Sequence, residues 1–116
     1  MRAGSSTIFP TSVEDVWEAV TGDEGLSALF GARATIDARP GGRIEITDGS
    51  GSVAVAVIED VERTRVLVFR WLPFVRFADG SVARRPQTRV TFTLEPVAEG
   101  ARLSVEEAAM SRAVSA

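Results

Sequence analysis

From Ala32 onward the apolar residues recur at every second position, in six short runs separated by turn-forming residues. Few folds other than an antiparallel meander satisfy that pattern, because side chains alternate along a strand and short turns join only antiparallel neighbours. QTRVTFTLE alternates most cleanly, with Val90, Phe92 and Leu94 on one side and Arg89, Thr91 and Thr93 on the other. In VLVFRW, Leu67, Phe69 and Trp71 oppose Val66, Val68 and Arg70, and in RIEIT Ile44 and Ile46 share a face. SVAVAVIE sets Val53, Val55 and Val57 against Ala54, Ala56 and Ile58. ARATIDA opens the series and ARLSVEE closes it, while RPGG, DGSG, EDVERT and PVAEG supply turns. One face of such a sheet is apolar and the other carries Arg, Thr and Glu, so the apolar face requires a cover.

The segment before the meander supplies part of that cover. Ser5 to Phe9 reads as a short strand closed by Pro10. SVEDVWEAV then places Val13, Val16, Trp17 and Val20 on one stripe of an amphipathic helix. Ser12 is its N-cap, Asp15 supplies the acidic half of a capping box, and Gly22 ends it. DEGLSALF predicts a second short helix with Leu26, Leu29 and Phe30 turned inward. The class is therefore α+β, and 116 residues form one domain spanning 1–116.

Composition removes several chemistries. The chain has no histidine, cysteine, tyrosine or lysine; all 13 basic residues are arginine. Histidine bases, Ser-His-Asp triads, most zinc sites, thiol chemistry, Schiff bases and P-loop lysines are excluded. A net charge of -3 argues against nucleic acid as a partner. The absence of a long apolar run or signal-peptide core predicts a soluble, cytoplasmic protein with no stable membrane insertion.

Candidate sites are correspondingly apolar. Trp17, Phe69, Trp71 and Phe92 fall on the inward stripe, where they serve either as ordinary core or as the wall of a pocket. The segment 72–86 interleaves Phe74 and Phe77 with Arg76, Arg84 and Arg85. It reads as the mouth of a site for an anionic amphiphile, as a protein contact rich in Phe and Arg, or as a solvated hairpin tip around Asp79-Gly80. Arg39-Pro40-Gly41-Gly42 fits a tight turn with positive φ at glycine, not a phosphate loop. The acidic residues Glu14, Asp15, Glu18, Asp23 and Glu24 cluster around the first helix without forming an acid/base pair. Glu106 and Glu107 point to opposite faces unless a helix has begun. No catalytic residue, cofactor or metal site is expected.

PTSVEDVWEAVTGDEGLSALF, DARPGGRIEI, VLVFRW and TRVTFTLEPVAEGARLSVEE together resemble the SRPBCC or START-like superfamily, in the branch related to the C-terminal domain of the Hsp90 ATPase activator Aha1. The resemblance spans roughly Ile8 to Glu106. It implies a helix-grip (START/Bet v1-like) fold, a curved antiparallel sheet around a C-terminal helix with a cavity between. Relatives bind lipids or other apolar molecules, and the Aha1 branch includes chaperone-partner domains. The expected function is non-catalytic binding of a hydrophobic small molecule or lipid at Trp17, Phe69, Trp71, Phe74, Phe77, Arg84 and Phe92. A chaperone-binding module and a cyclase- or aromatase-like enzyme are the alternatives. Only about ten residues follow Glu106, so the gripping helix is expected to be truncated, at most three turns carrying Ala109, Met110, Ala113 and Val114. The apolar face thus left open predicts a homodimer, or the segment 72–86 folded over as a substitute lid.

Overall fold

The computed structural model describes residues 2–110, with side chains from residue 4 onward. The first strand, β1 (Arg2–Phe9), leads into two eight-residue helices, α1 (Val13–Val20) and α2 (Asp23–Phe30). The meander follows as β2 (Arg33–Ile36), β3 (Arg43–Thr47), β4 (Val53–Glu62), β5 (Val66–Arg76), β6 (Val82–Arg84), β7 (Thr88–Val97) and β8 (Gly100–Ala109). One antiparallel sheet runs in the order β1-β8-β7-β5-β4-β3-β2, and β6 pairs with the far half of β5. The sheet curls into a half-barrel with the helices on its concave side.

Local chemistry accounts for the helix ends. The Ser12 hydroxyl accepts from the Asp15 amide at 3.1 Å, as its N-cap position requires. The capping box is not completed in the expected way: Asp15 Oδ2 instead takes the Thr11 hydroxyl at 2.6 Å, because the short Asp side chain finds that donor first. At the other end, Thr21 closes α1 by donating its hydroxyl to the Trp17 carbonyl, and Gly22 becomes the N-cap of α2. A Cβ at Gly25 would sit on the Ala19 carbonyl oxygen, so this glycine lets the two helices pack closely.

The predicted inward stripes form the core. Val16, Trp17 and Val20 of α1 pack with Leu67, Phe69, Val90, Phe92 and Leu94. On β4 the inward side is Ala56 and Ile58, facing Trp71 and Phe69 across the ladder. Two register shifts on the β4–β5 pair bend the sheet. One leaves Glu59 unpaired between Ile58 and Asp60; the other skips Leu72, Pro73 and Phe74 of β5.

Four expectations need correction. β1 begins at Arg2 rather than Ser5, because the whole segment pairs with β8 from Arg2↔Ala108 to Phe9↔Ala101. β5 continues through Pro73 to Arg76, since the proline lies in the bulge, where no ladder amide is required. Leu29 and Phe30 are not core: they are 42% and 36% exposed, while Leu26 on the same helix is 0% exposed. The last turn of α2 overhangs the sheet instead of lying on it. Finally, ARLSVEE is a strand as expected, but β8 runs on through Ala108 and Ala109, which pair with β7 and are not helical. Met110 follows outside any regular element. The rest of the expected C-terminal helix, with Ala113 and Val114, lies outside the described residues.

Candidate functional site: a cleft on the concave face

The alternation that builds the core also builds a cleft. Beyond the reach of α1, the concave face leaves an open volume of about 400 Å³. Its floor is Phe69 and Trp71 of β5, Val90 and Phe92 of β7, and Val105 of β8. The strand ladders set this floor, pairing Phe69 with Val90, Val90 with Glu107, and Phe92 with Val105. Leu29 and Phe30 form one wall, and Ser5, Glu107 and Arg85 supply polar groups around it.

The aromatic rings form a continuous edge-to-face series. Phe30 meets Trp71 at 6.1 Å, Trp71 meets Phe69 at 5.6 Å, and Phe69 meets Phe92 at 5.5 Å, with interplanar angles of 78°, 90° and 79°. Such contacts fix ring orientations as well as burying area. The Arg85 guanidinium lies over the Trp71 ring, 5.3 Å from its centroid, and the Arg85 amide is tied to the Pro73 carbonyl. On the other side, Glu107 accepts a hydrogen bond from the Thr88 hydroxyl.

The expected site residues divide into three places. Phe69, Trp71 and Phe92 come together on the cleft floor. Trp17 is 5% exposed within the packed core and is absent from the cleft lining. Phe74 and Arg84 are cross-strand partners on the convex face. Phe74 there borders a shallow depression of about 220 Å³ with Val53, Val55, Val82, Arg43 and Arg76. Phe77 sits at the hairpin tip, its amide and carbonyl used by Ser81 and Gly80. The cation of the concave face is therefore Arg85, the neighbour of Arg84. Counting alternate residues back from that hairpin register would have found it. Leu29 and Phe30 were assigned to the core and Glu107 to a strand end, so all three were missed as lining.

Other polar clusters serve the scaffold. Glu59 on the convex face bridges Arg89 Nε at 2.7 Å and Arg70 Nε at 3.1 Å. The hydrogen bond from Arg89 comes first among the causes that hold its carboxyl below the usual range. Asp48 and Asp79 each accept from a serine two residues on, Ser50 and Ser81, and those bonds lower both carboxyls and lock the two DG turns. In the RPGG turn the Gly41 and Gly42 amides are already donated to Ile58 and Arg39 carbonyls, which leaves no phosphate cradle. Among the described residues no helix is long and apolar enough to cross a membrane.

Comparison with known proteins agrees with this architecture. A family model described as Activator of Hsp90 ATPase homolog 1-like protein matches residues 10–115. Among solved structures, protein MLL2253 from Mesorhizobium loti superposes with a TM-score of 0.77 at 22% identity, covering 96% of this chain and 78% of that one. DynU16, a protein of the dynemicin biosynthetic locus, gives 0.75 at 25% identity, and the chain spans 96% of itself but only 38% of DynU16. Protein BH1534 from Bacillus halodurans gives 0.69 at 26% identity, with 93% and 68% covered. No match was found among curated proteins.

Proposed function

The chain belongs to the Activator of Hsp90 ATPase homolog 1-like family, and on that premise we propose that it binds an apolar or amphipathic small molecule in the concave cleft, without converting it. The observation that carries this reading is the cleft itself. A volume of about 400 Å³ floored by Phe69, Trp71, Val90 and Phe92 falls in the range of small-molecule sites, about 300–1,000 Å³. Its lining is aromatic and aliphatic with few polar groups, the composition that favours burial of an apolar skeleton. A structural relative from the dynemicin biosynthetic locus lends support to a small molecule as the occupant. Conversion of that molecule finds little support, because the chain has no histidine, cysteine, lysine or tyrosine to serve as base, nucleophile or phenolic acid.

The test is a fluorescence titration with N-phenyl-1-naphthylamine, a neutral two-ring probe that brightens when desolvated, with native mass spectrometry for stoichiometry. Saturable binding of one probe per chain is expected, and its loss in Phe92→Arg, which carries a charge onto the floor. Absence of saturable binding by a folded protein overturns the reading. The exposure of Leu29 and Phe30 favours one rival, a homodimer that covers the same face. Light scattering that returns the mass of two chains, with the probe excluded, would establish that rival in place of the ligand.

A further inference from the structure

Arg85 is unlike the other arginines of the sheet. Among the described residues, Arg39, Arg63, Arg65, Arg70, Arg89 and Arg102 each lie within salt-bridge distance of a carboxylate. Arg33, Arg43, Arg76 and Arg84, with no such carboxylate, are all exposed, and Arg84 lies beside Phe74 on the convex face. Arg85 is partly buried, faces the apolar cleft, and has no carboxylate of the described residues within salt-bridge distance. Removing a cation from water without a counter-charge is unfavourable. The face of Trp71 offsets part of that cost, yet it occupies only the flat side of the guanidinium. The five N–H donors lie in the guanidinium plane, where a planar acid can engage two of them at once.

We infer that the ligand is an anion: an apolar, ring-bearing acid whose charged group is held by Arg85 while its skeleton lies against Leu29, Phe30, Trp71 and Phe92. This rests on the small-molecule reading of the cleft and adds the chemical class. Glu107 gives the site polarity. Its carboxylate lies in the same cleft, tied to Thr88 and not within 4.0 Å of the Arg85 nitrogens, so it repels an acid from the β8 side. The acid is thereby directed to the Arg85 end, and the Glu107 end suits an uncharged hydrogen-bond donor.

Two probes of nearly the same skeleton separate the charge from the apolar term. One is 1-anilinonaphthalene-8-sulfonate, an acid; the other is N-phenyl-1-naphthylamine, which lacks the sulfonate. Arg85→Gln is expected to weaken the sulfonate about tenfold, the scale of one charge-assisted hydrogen bond, and to change the neutral probe less than about twofold. Arg84→Gln makes the same change in net charge one residue away and is expected to leave both affinities unaltered. Near-UV circular dichroism of each variant excludes a molten state that binds the sulfonate nonspecifically. The unaltered protein gives an independent check: added salt should weaken the sulfonate and spare the neutral probe. If the neutral probe binds but Arg85→Gln and Arg84→Gln affect the sulfonate equally, the assignment of Arg85 is refuted and the apolar cleft survives. If neither probe binds the unaltered protein, the cleft itself fails as a ligand site.

Discussion

Arg70 and Arg89 face each other directly across β5 and β7, a like-charge pairing that would destabilise the sheet if nothing stood between them. Glu59 is that mediator, delivered to the spot by the bulge on β4. Its carboxylate takes Arg89 Nε at 2.7 Å and Nη2 at 3.4 Å, and Arg70 Nε at 3.1 Å. The Glu59 side chain is 27% exposed, against 33% for Arg70 and 47% for Arg89. Solvent therefore screens the Arg89 contact more heavily, and each bridge falls in the range of about 0.2–1 kcal/mol. Glu59→Gln removes both and uncovers the Arg–Arg repulsion, for a total cost of about 1–2 kcal/mol at neutral pH. That corresponds to a fall in Tm of roughly 5 °C for a chain of this size. Arg89→Gln alone should cost less, since it removes repulsion together with attraction. The double variant should be more stable than the sum of the single losses implies. The pH dependence has a definite sign. The folded-state pKa of Glu59 is depressed, so its stabilisation is complete above the unfolded carboxylate value of about 4.3. It is lost as pH falls through the folded value. Urea denaturation of the parent and Glu59→Gln between neutral pH and pH 3 should show their difference shrinking as acid is added. A difference that stays constant, or single losses that simply add, would refute the mediating role.

Three further substitutions probe the cleft and the helix pair beside it. Phe69→Ala deletes a ring that is 0% exposed and should cost about 3–5 kcal/mol, whereas Phe30→Ala loses an edge contact worth about 0.5–1.5 kcal/mol and should mainly weaken probe binding. Urea midpoints set against probe titrations check the contrast, and equal stability losses would mean that Phe30 is core rather than wall. Gly25→Ala should destabilise by about 1–3 kcal/mol despite the better helix propensity of alanine, because the new methyl meets the Ala19 carbonyl. A rise in thermal midpoint would show that α1 and α2 can separate freely.

The strands were legible because alternation is a direct consequence of backbone geometry, and the inward sides of β5 and β7 follow from Phe69, Trp71, Val90 and Phe92 alone. On β4 alternation stated the two sides without choosing between them. Hydrophobicity favours the valines, yet the sheet buries Ala56 and Ile58, since register places them opposite Ile44, Trp71 and Phe69. Ala56 sits between the large side chains of Ile44 and Trp71, a fact of pairing that no single run contains. Alternation puts Phe69, Trp71 and Phe92 on the inward face, but the open space above them was not legible, because Phe69 alternates identically beneath a helix or beneath open space. The cation was harder still. Arg84 and Arg85 are adjacent, and only the parity of the count from Trp71 decides which enters the cleft. In the sequence Pro73 reads as the end of the strand, so the count stops there. In the folded sheet the strand passes through it by a bulge, and Phe74↔Arg84 pairing sends Arg84 outward and Arg85 in. A slip of one residue in that hairpin would exchange their faces. The charge of the site is thus set by the register of β6, three residues long, and not by the many positions that build the sheet.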